Sequence, residues 1–429
     1  MPPANEQRTR AAAATGSEDD TMWHEGETKA ERVEDALRRR RLDALVALTP
    51  ENAAYLSGRT SGIGSMWRLP GIVVVASGRD GKRAVSAGDS EIDSYPADRF
   101  ARFAHPFWIE RLDLRNVAGA SLPVRIDLAR PGGPRARPAQ FDSAAMFAAA
   151  ASAIRAETPP GGRAGADLSL VSAEFLRRLG DALPGIELTD ATDVFNDLRA
   201  IKDPDEIACL RLSAELTVAG IAAARDGLRV GQSAAAVTAA YQVAIWQKAA
   251  KDDRFAALRD VEGLVGVGDG SRPDIRVGPG QTVKLDMQVD VGGQHSDIGR
   301  TFAIAPTADQ IAVYAALRNA LAAAEAAVQP GATFQQVYAA GTDAMRANGF
   351  ANYSRGHLGH SIGLAHNYEE PPFVAPDETR PIVPGMAISV ELPYYLLGIG
   401  SFQLERMLLV TENGHEALDD LPFGLAVEA

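Results

Sequence analysis

The chain holds a single cysteine, Cys209, among its 429 residues. One thiol closes no disulfide within the chain and builds no thiolate metal site. Cationic residues are also short, 43 Lys and Arg against 56 Asp and Glu, for a formal charge of −13. That balance leaves no basic face to displace counterions from phosphates, so no nucleic-acid partner is expected. Acidity by itself names no other partner, because it also serves solubility. No uninterrupted apolar run approaches the ~18 residues of a bilayer span, so no membrane is expected. The N-terminus, MPPANEQRTR, has no apolar signal core. The expected compartment is the cytoplasm.

What is present fits a globular protein of two or three domains, with 46% hydrophobic and 23% charged residues. Residues 1–29 carry little that can pack and read as a disordered tail. A helix is predicted over 30–41. Ala44–Leu48 and Ile72–Ala76 then read as buried strands, being short apolar runs bounded by turn residues. Strands alternate with Ala-rich helices to about residue 195, which makes 30–195 an α/β domain. A second domain, 196–429, opens on Asp203-Pro204-Asp205-Glu206, an N-cap, a first-turn proline and a capping-box glutamate. Inside it, Gly231-Gln232-Ser233 and Gly331-Ala332-Thr333 each lead into a helix with matching apolar positions. Such an echo is what a duplicated half-domain leaves, or what chance produces in an alanine-rich chain.

Chemistry concentrates late in the chain. Asp286 lies in Val283-Lys284-Leu285-Asp286-Met287 and Asp297 in His295-Ser296-Asp297-Ile298, with Gly292-Gly293 between them as a hairpin turn. Adjacent antiparallel strands would bring the two carboxylates face to face. Carboxylates so placed repel unless a proton or a cation intervenes. His360 lies in Gly359-His360-Ser361-Ile362-Gly363. Glu391 and Glu405 each sit alone in an apolar strand. Any one of these five is an ordinary strand residue; together, four oxygen donors and an imidazole suit Mn, Fe, Co or Zn. Gly266-Val267-Gly268-Asp269-Gly270 lacks the helix and acidic partner of a dinucleotide loop, which excludes that reading.

These motifs resemble the pita-bread metallopeptidases, the family of prolidase, aminopeptidase P, methionine aminopeptidase and creatinase. The two aspartates stand eleven positions apart with Gly293 seven after the first, and Gly359–Gly363, Gly385–Glu391 and Gln403-Leu404-Glu405 resemble the histidine and glutamate motifs. Ala44-Leu45-Val46 through Asn52–Gly58 resembles the creatinase/prolidase N-terminal domain. The resemblance implies an α/β N-terminal domain followed by a catalytic domain of helices over a curved antiparallel sheet. It implies two divalent ions, manganese foremost, with Asp286 on one, Asp297 and Glu405 bridging, and His360 and Glu391 on the other. It implies hydrolysis of a small amide or dipeptide by a water activated between the ions, with Glu391 carrying its proton. A homodimer is implied as well, one chain's N-terminal domain reaching the other's site, where Trp67 or Arg68 would line the substrate pocket.

Several positions depart from the family pattern. Asp274 replaces a substrate-facing histidine. Gln288, Gln294, Gly299, Gln403 and Arg406 replace the expected glycine, tyrosine, threonine, arginine and acid. Seven residues after His360, where peptidases of the family carry a catalytic histidine, stands Asn367; either a rebuilt loop gives that role to His366, or the role is vacant. His357 has family precedent as an oxyanion or substrate contact. His295 is expected to face outward. Other functions stay open: on the same scaffold, a lyase of the dimethylsulfoniopropionate type or a hydrolase of a cyclic amidine or other small-molecule amide, and otherwise a binding module without catalysis.

Overall fold

Ala44–Ala47 forms β1, and all four of its residues are fully buried. Its position explains the unbroken apolar run, since both faces of the strand are covered. Leu45 and Ala47 pack with Val33, Leu37 and Tyr55 on one side. Ala44 and Val46 pack with Phe147 and Ile154 on the other. Around it are β2 (Val73–Ala76), β3 (Arg83–Gly88), β4 (Phe100–His105), β5 (Arg163–Ala166) and β6 (Glu187–Asp190), in the order β4-β3-β2-β1-β5-β6. The computed structural model describes residues 27–61, 73–77, 83–130, 136–140, 142–364 and 369–427. Of the tail expected over 1–29, residues 1–26 lie outside them. Residues 27–29, by contrast, belong to the helix Glu27–Arg40. Lys29 is buried there, 3.1 Å from Asp203 and 3.5 Å from Glu206, so an ion pair invisible to composition extends the order beyond the expected boundary.

The capping box at Asp203 and Glu206 starts the helix Pro204–Asp226 as its residues predict. By length and composition this helix could cross a bilayer. Its Leu210, Ala214, Leu216 and Ile221 instead enter the core under the following sheet. That sheet comprises β7 (Leu258–Val267), β8 (Thr282–Val291), β9 (Gln294–His295) and β10 (Ile298–Ile304). A second contains β11 (Gly359–Ser361), β12 (Glu370–Phe373) and β13 (Ala387–Glu391). After the hairpin of β14 (Tyr394–Leu396) and β15 (Gly400–Phe402), β16 (Glu405–Thr411) and β17 (Gly414–Ala417) complete it, and β18 (Ala426–Val427) returns to β10. The two sheets are stitched together where Thr301 Oγ1 donates to Gln403 O at 3.0 Å and Gln403 N donates back to Thr301 Oγ1 at 2.7 Å.

The sequence echo is a structural repeat. Ser233 and Thr333 each cap a helix, Ala234–Ala249 and Phe334–Ala347. Gly231 and Gly331 take the same left-handed φ, 87° and 86°. Each donates to the edge of an extended segment, Gly231 to Val277 O at 2.8 Å and Gly331 to Ile382 O at 2.9 Å. Nothing crowds a Cβ at either glycine, so replacement meets only the backbone cost of the left-handed region. Gly231→Ala and Gly331→Ala should therefore each lower unfolding stability by about 1 kcal/mol. Urea denaturation reads this directly, and clearly unequal losses would show that the two turns are not equivalent.

Candidate metal centre

The two sheets bring Asp297, His360 and Glu405 together at the seam between them, with Asp286 and Glu391 close enough to act on their charges. Gly292 and Gly293, at φ 67° and 88°, make the tight turn that pairs Val291 with Gln294. Beyond it Gly299 stands opposite Asp286, and Gln288 Nε2 reaches Asp297 Oδ2 at 3.0 Å. On the other sheet Glu391 and Glu405 are direct cross-strand partners, and β11 lays His360 beside Ser389. Ser389 spans the seam, donating to Asp297 O at 3.2 Å and to Glu405 Oε1 at 2.8 Å.

Asp297, His360 and Glu405 form one cluster and His357, Glu369 and Glu391 another; in each, one ligand atom from every residue lies within 4.8 Å of the others. His360 Nε2 is 3.8 Å from Asp297 Oδ2. His360 Nδ1 lies 2.8 Å from Ser361 O; a carbonyl only accepts, so Nδ1 carries the proton and Nε2 presents its lone pair to the cluster. Asp297 Oδ1 is buried without a hydrogen-bond partner. Burial foremost, then the neighbouring Glu405, Asp286 and Glu391, drives the Asp297 carboxyl well above its usual range, against the Gln288 hydrogen bond. The Glu405 carboxyl is raised likewise, by burial, Asp286 and Glu391, against Ser389 and Gln403. Two dry carboxylates, a bare oxygen and an aimed imidazole lone pair are what a divalent cation would satisfy, and the donor set fits one.

Glu391 lies to one side of this cluster. Its Oε1 accepts from Arg355 Nη2 at 2.8 Å and its Oε2 from Gln403 Nε2 at 2.8 Å. His357 Nδ1 is 3.6 Å from Glu391 Oε1, and His357 Nε2 is 3.2 Å from Glu369 Oε2. His357 thus joins a buried carboxylate to an exposed one. Asp286 lies to the other side, where Lys284 Nζ approaches its Oδ2 at 3.0 Å. Burial pulls the Lys284 amine down, but Asp286 and Tyr395 outweigh it and the net shift is upward.

The departures from the family pattern prove to be fitted to one another. A Cβ on Gly299 would overlap Gln403 and crowd Glu405, so the missing threonine side chain leaves the room that Gln403 occupies. Gln403 Nε2 then donates to Glu405 Oε2 at 3.2 Å as well as to Glu391.

Asp274, expected to face substrate, is exposed and paired with Arg272, two residues earlier, at 2.7 Å. One expectation needs correction. His295 does not face outward: it is 4% exposed, on the strand side shared with Asp297 two residues on, with Nε2 3.7 Å from Asp290. Trp67, Arg68, His366 and Asn367 lie outside the described residues. Sequence reasoning missed Lys284 and Arg355. A lysine inside an apolar strand, two residues from Asp286, was the available signal for the first; Arg355 carried none, because only the fold brings it to Glu391.

Comparison with known proteins bears on this geometry. The profile of metallopeptidase family M24 matches residues 208–412. A probable dipeptidase PepE of Mycobacterium tuberculosis is 33% identical over 257 residues, 58% of this chain and 66% of the relative. An Xaa-Pro dipeptidase of Pyrococcus furiosus is 27% identical over 233 residues, 54% and 66% of the two chains. The match thus spans just under two thirds of the relatives' length. Among solved structures, the dipeptidase PepE of Mycobacterium ulcerans superposes with a TM-score of 0.71 at 24% identity, covering 94% of this chain and 98% of that one. The prolidase of Pyrococcus horikoshii gives 0.71 at 18% identity, covering 93% and 100%. These superpositions show the fold, an α/β N-terminal part followed by the pita-bread arrangement.

Gly299→Ala should lower stability by about 1–3 kcal/mol, the usual cost of overpacking. Adding Gln403→Ala should return part of that loss. A double-mutant cycle by chemical denaturation measures the coupling, and simple additivity would mean that Gln403 is not the obstacle.

Proposed function

We propose that this chain is a member of metallopeptidase family M24 and a metal-dependent hydrolase of an amide bond in a small substrate, of the Xaa-Pro dipeptidase kind; the family model over residues 208–412 and the likeness to dipeptidases support this reading. The observation that carries the reading is the buried trio of Asp297, His360 and Glu405, with an unpartnered carboxylate oxygen and a lone pair turned inward. A divalent cation held there supplies the positive charge that polarises a carbonyl and acidifies water, so no side-chain nucleophile is required. The acidic, imidazole-containing donor set favours manganese, with zinc, cobalt or iron as alternatives. A homodimer in the cytoplasm completes the proposal, on the strength of the family resemblance.

The chain's own residues have distinct parts. Arg355 and Gln403 fix both oxygens of Glu391, which orients it as the carboxylate that receives the proton of the attacking water. His357 stands next in line at 3.6 Å and Glu369 beyond it at 3.2 Å, a path from the dry centre to solvent. Gly359 N–H donates to His357 Nδ1 at 3.4 Å, which holds the ring in place. Exposed Leu264 is the cross-strand partner of Asp286, and exposed Tyr395 adjoins Lys284. That apolar rim suits a substrate with an uncharged side chain.

The lyase reading is weakened by Gln288, which stands where those lyases have a further aspartate and here donates to Asp297. A binding module without catalysis has no need of the complete donor set.

Assayed with added manganese against Xaa-Pro dipeptides, longer peptides, cyclic amidines and sulfonium zwitterions, the chain should cleave a dipeptide or related amide and lose that activity to a chelator. Alkene release from a sulfonium substrate, with no amide cleaved, would replace the hydrolase by the lyase. Asp297→Asn should reduce bound metal below one equivalent and abolish turnover; unchanged metal content by elemental analysis would remove the site as described.

A further inference from the structure

The repeat that opens at Gly231 and Gly331 carries two helices, Ala234–Ala249 and Phe334–Ala347, in equivalent surroundings. Residues 234, 237, 241 and 245 are buried in the first, and 334, 337, 341 and 345 in the second. Positions 235, 236, 239, 243, 246 and 247 are exposed, as are their counterparts 100 residues on. Backbone and exposure are thus held constant while the side chains differ.

The second helix turns Gln335, Gln336, Asp343 and Arg346 to water, with Arg346 paired to Asp343 at 2.9 Å. At the same positions the first helix has Ala235, Ala236, Val243 and Trp246, with Val243 52% and Trp246 48% exposed. Position 239 is alanine in both helices, and Gln247 against Ala347 alone runs the other way. Lys248, the single charge in the first helix, is drawn aside to Glu215 at 2.9 Å. Packing inside the fold gives no reason for one of two equivalent faces to be polar and the other apolar. An apolar face of that kind marks a surface that another molecule covers.

The order of side-chain sizes selects the occupant. About a two-fold axis midway along the stripe, an antiparallel copy of the helix sets Ala236 against the partner's Trp246 and Ala239 against the partner's Val243. Small meets large at each layer, and Ala235 meets the polar Gln247. A stripe complementary to its own reverse is what an isologous contact requires. The helix Pro204–Asp226 runs alongside, since a Cβ on its Gly220 would overlap Tyr241 and Ile245. Its half-buried Leu212, Ala219 and Ala223 widen the apolar face. Two adjacent helices of this length offer about 24 Å by about 20 Å, roughly 500 Å² per chain and about 1,000 Å² in a pair. That area is at the lower bound of a specific interface, so association should depend on concentration. Both helices share a core with Leu285 and Met287 of β8, the side opposite Asp286. The contact therefore leaves the metal centre open and is separate from one in which an N-terminal domain reaches that site.

We propose that the exposed face of the helix Ala234–Ala249 is a self-association surface, on which a second copy of this chain packs antiparallel with its Trp246 over Ala236. The test gives this helix the residues of its counterpart, Val243→Asp together with Trp246→Arg, in the full-length chain. Sedimentation equilibrium over a wide concentration range should show wild type reaching twice the mass of this variant, with circular dichroism and amide-cleaving activity unchanged. Ala236→Arg, which removes no large apolar group, should also halve the mass, because it meets the partner's Trp246. Equal masses for wild type and the double variant at every concentration would overturn the proposal. Should wild type alone then bind phosphatidylcholine vesicles, the face would be a membrane surface instead. An Ala236→Arg chain that still associates like wild type would overturn the antiparallel pairing.

Discussion

Negative charge held away from water organises this protein. Asp297 and Glu405 are buried at the line where two sheets meet, each made harder to ionise by its burial and by the other carboxylates nearby. An arrangement of that kind is unfavourable by itself, and the surroundings are built to hold it. Arg300 is fully buried behind the seam, donating to the Glu405 carbonyl and paired with Asp419. Ser389 bridges the strands, and Thr301 locks the two sheets with reciprocal hydrogen bonds to Gln403. The backbone is thus fixed independently of the charges, so the carboxylates cannot relieve their repulsion by moving apart.

Within that frame the polar residues around the carboxylates act as a set. Gln288 serves Asp297, Gln403 serves Glu391 and Glu405, Arg355 serves Glu391, and Lys284 serves Asp286. Each puts a fixed N–H donor on a carboxylate, and two of them bring a full positive charge. Gly299 belongs to the set through its absence of a side chain. Together they describe a centre whose charge is partly balanced by protein.

Buried cations also tie the N-terminal sheet to this region. Arg199 donates to Asn52 at 2.9 Å and lies 3.8 Å from Glu370, while Asn52 donates to Asp167 at 2.7 Å. Lys202 is buried against Ser361 Oγ at 3.3 Å, next to His360, and burial pulls its amine down to about 8. The strand bearing His360 is therefore anchored from the N-terminal side as well as by its own sheet.

Local pattern was enough to identify much of this. The apolar run at Ala44–Ala47, the capping box at Asp203 and the Gly292-Gly293 turn are encoded in short stretches, because caps, turns and strand periodicity act over a few residues, whereas the five acid and imidazole positions were singled out by the resemblance of their motifs to a family. The 100-residue echo of Gly231 and Gly331 was legible too, although only the shared hydrogen bonds distinguished a repeat from coincidence. Tertiary structure decided everything that depends on residues distant in the chain. It buried Lys29 against Asp203 and Glu206, turned His295 inward, and left Asp274 in water. It also brought Arg355 to Glu391 and gave Glu369 to His357. Electrostatic partnership depends on distance in space and on dielectric, and neither is written in the spacing of residues along a chain.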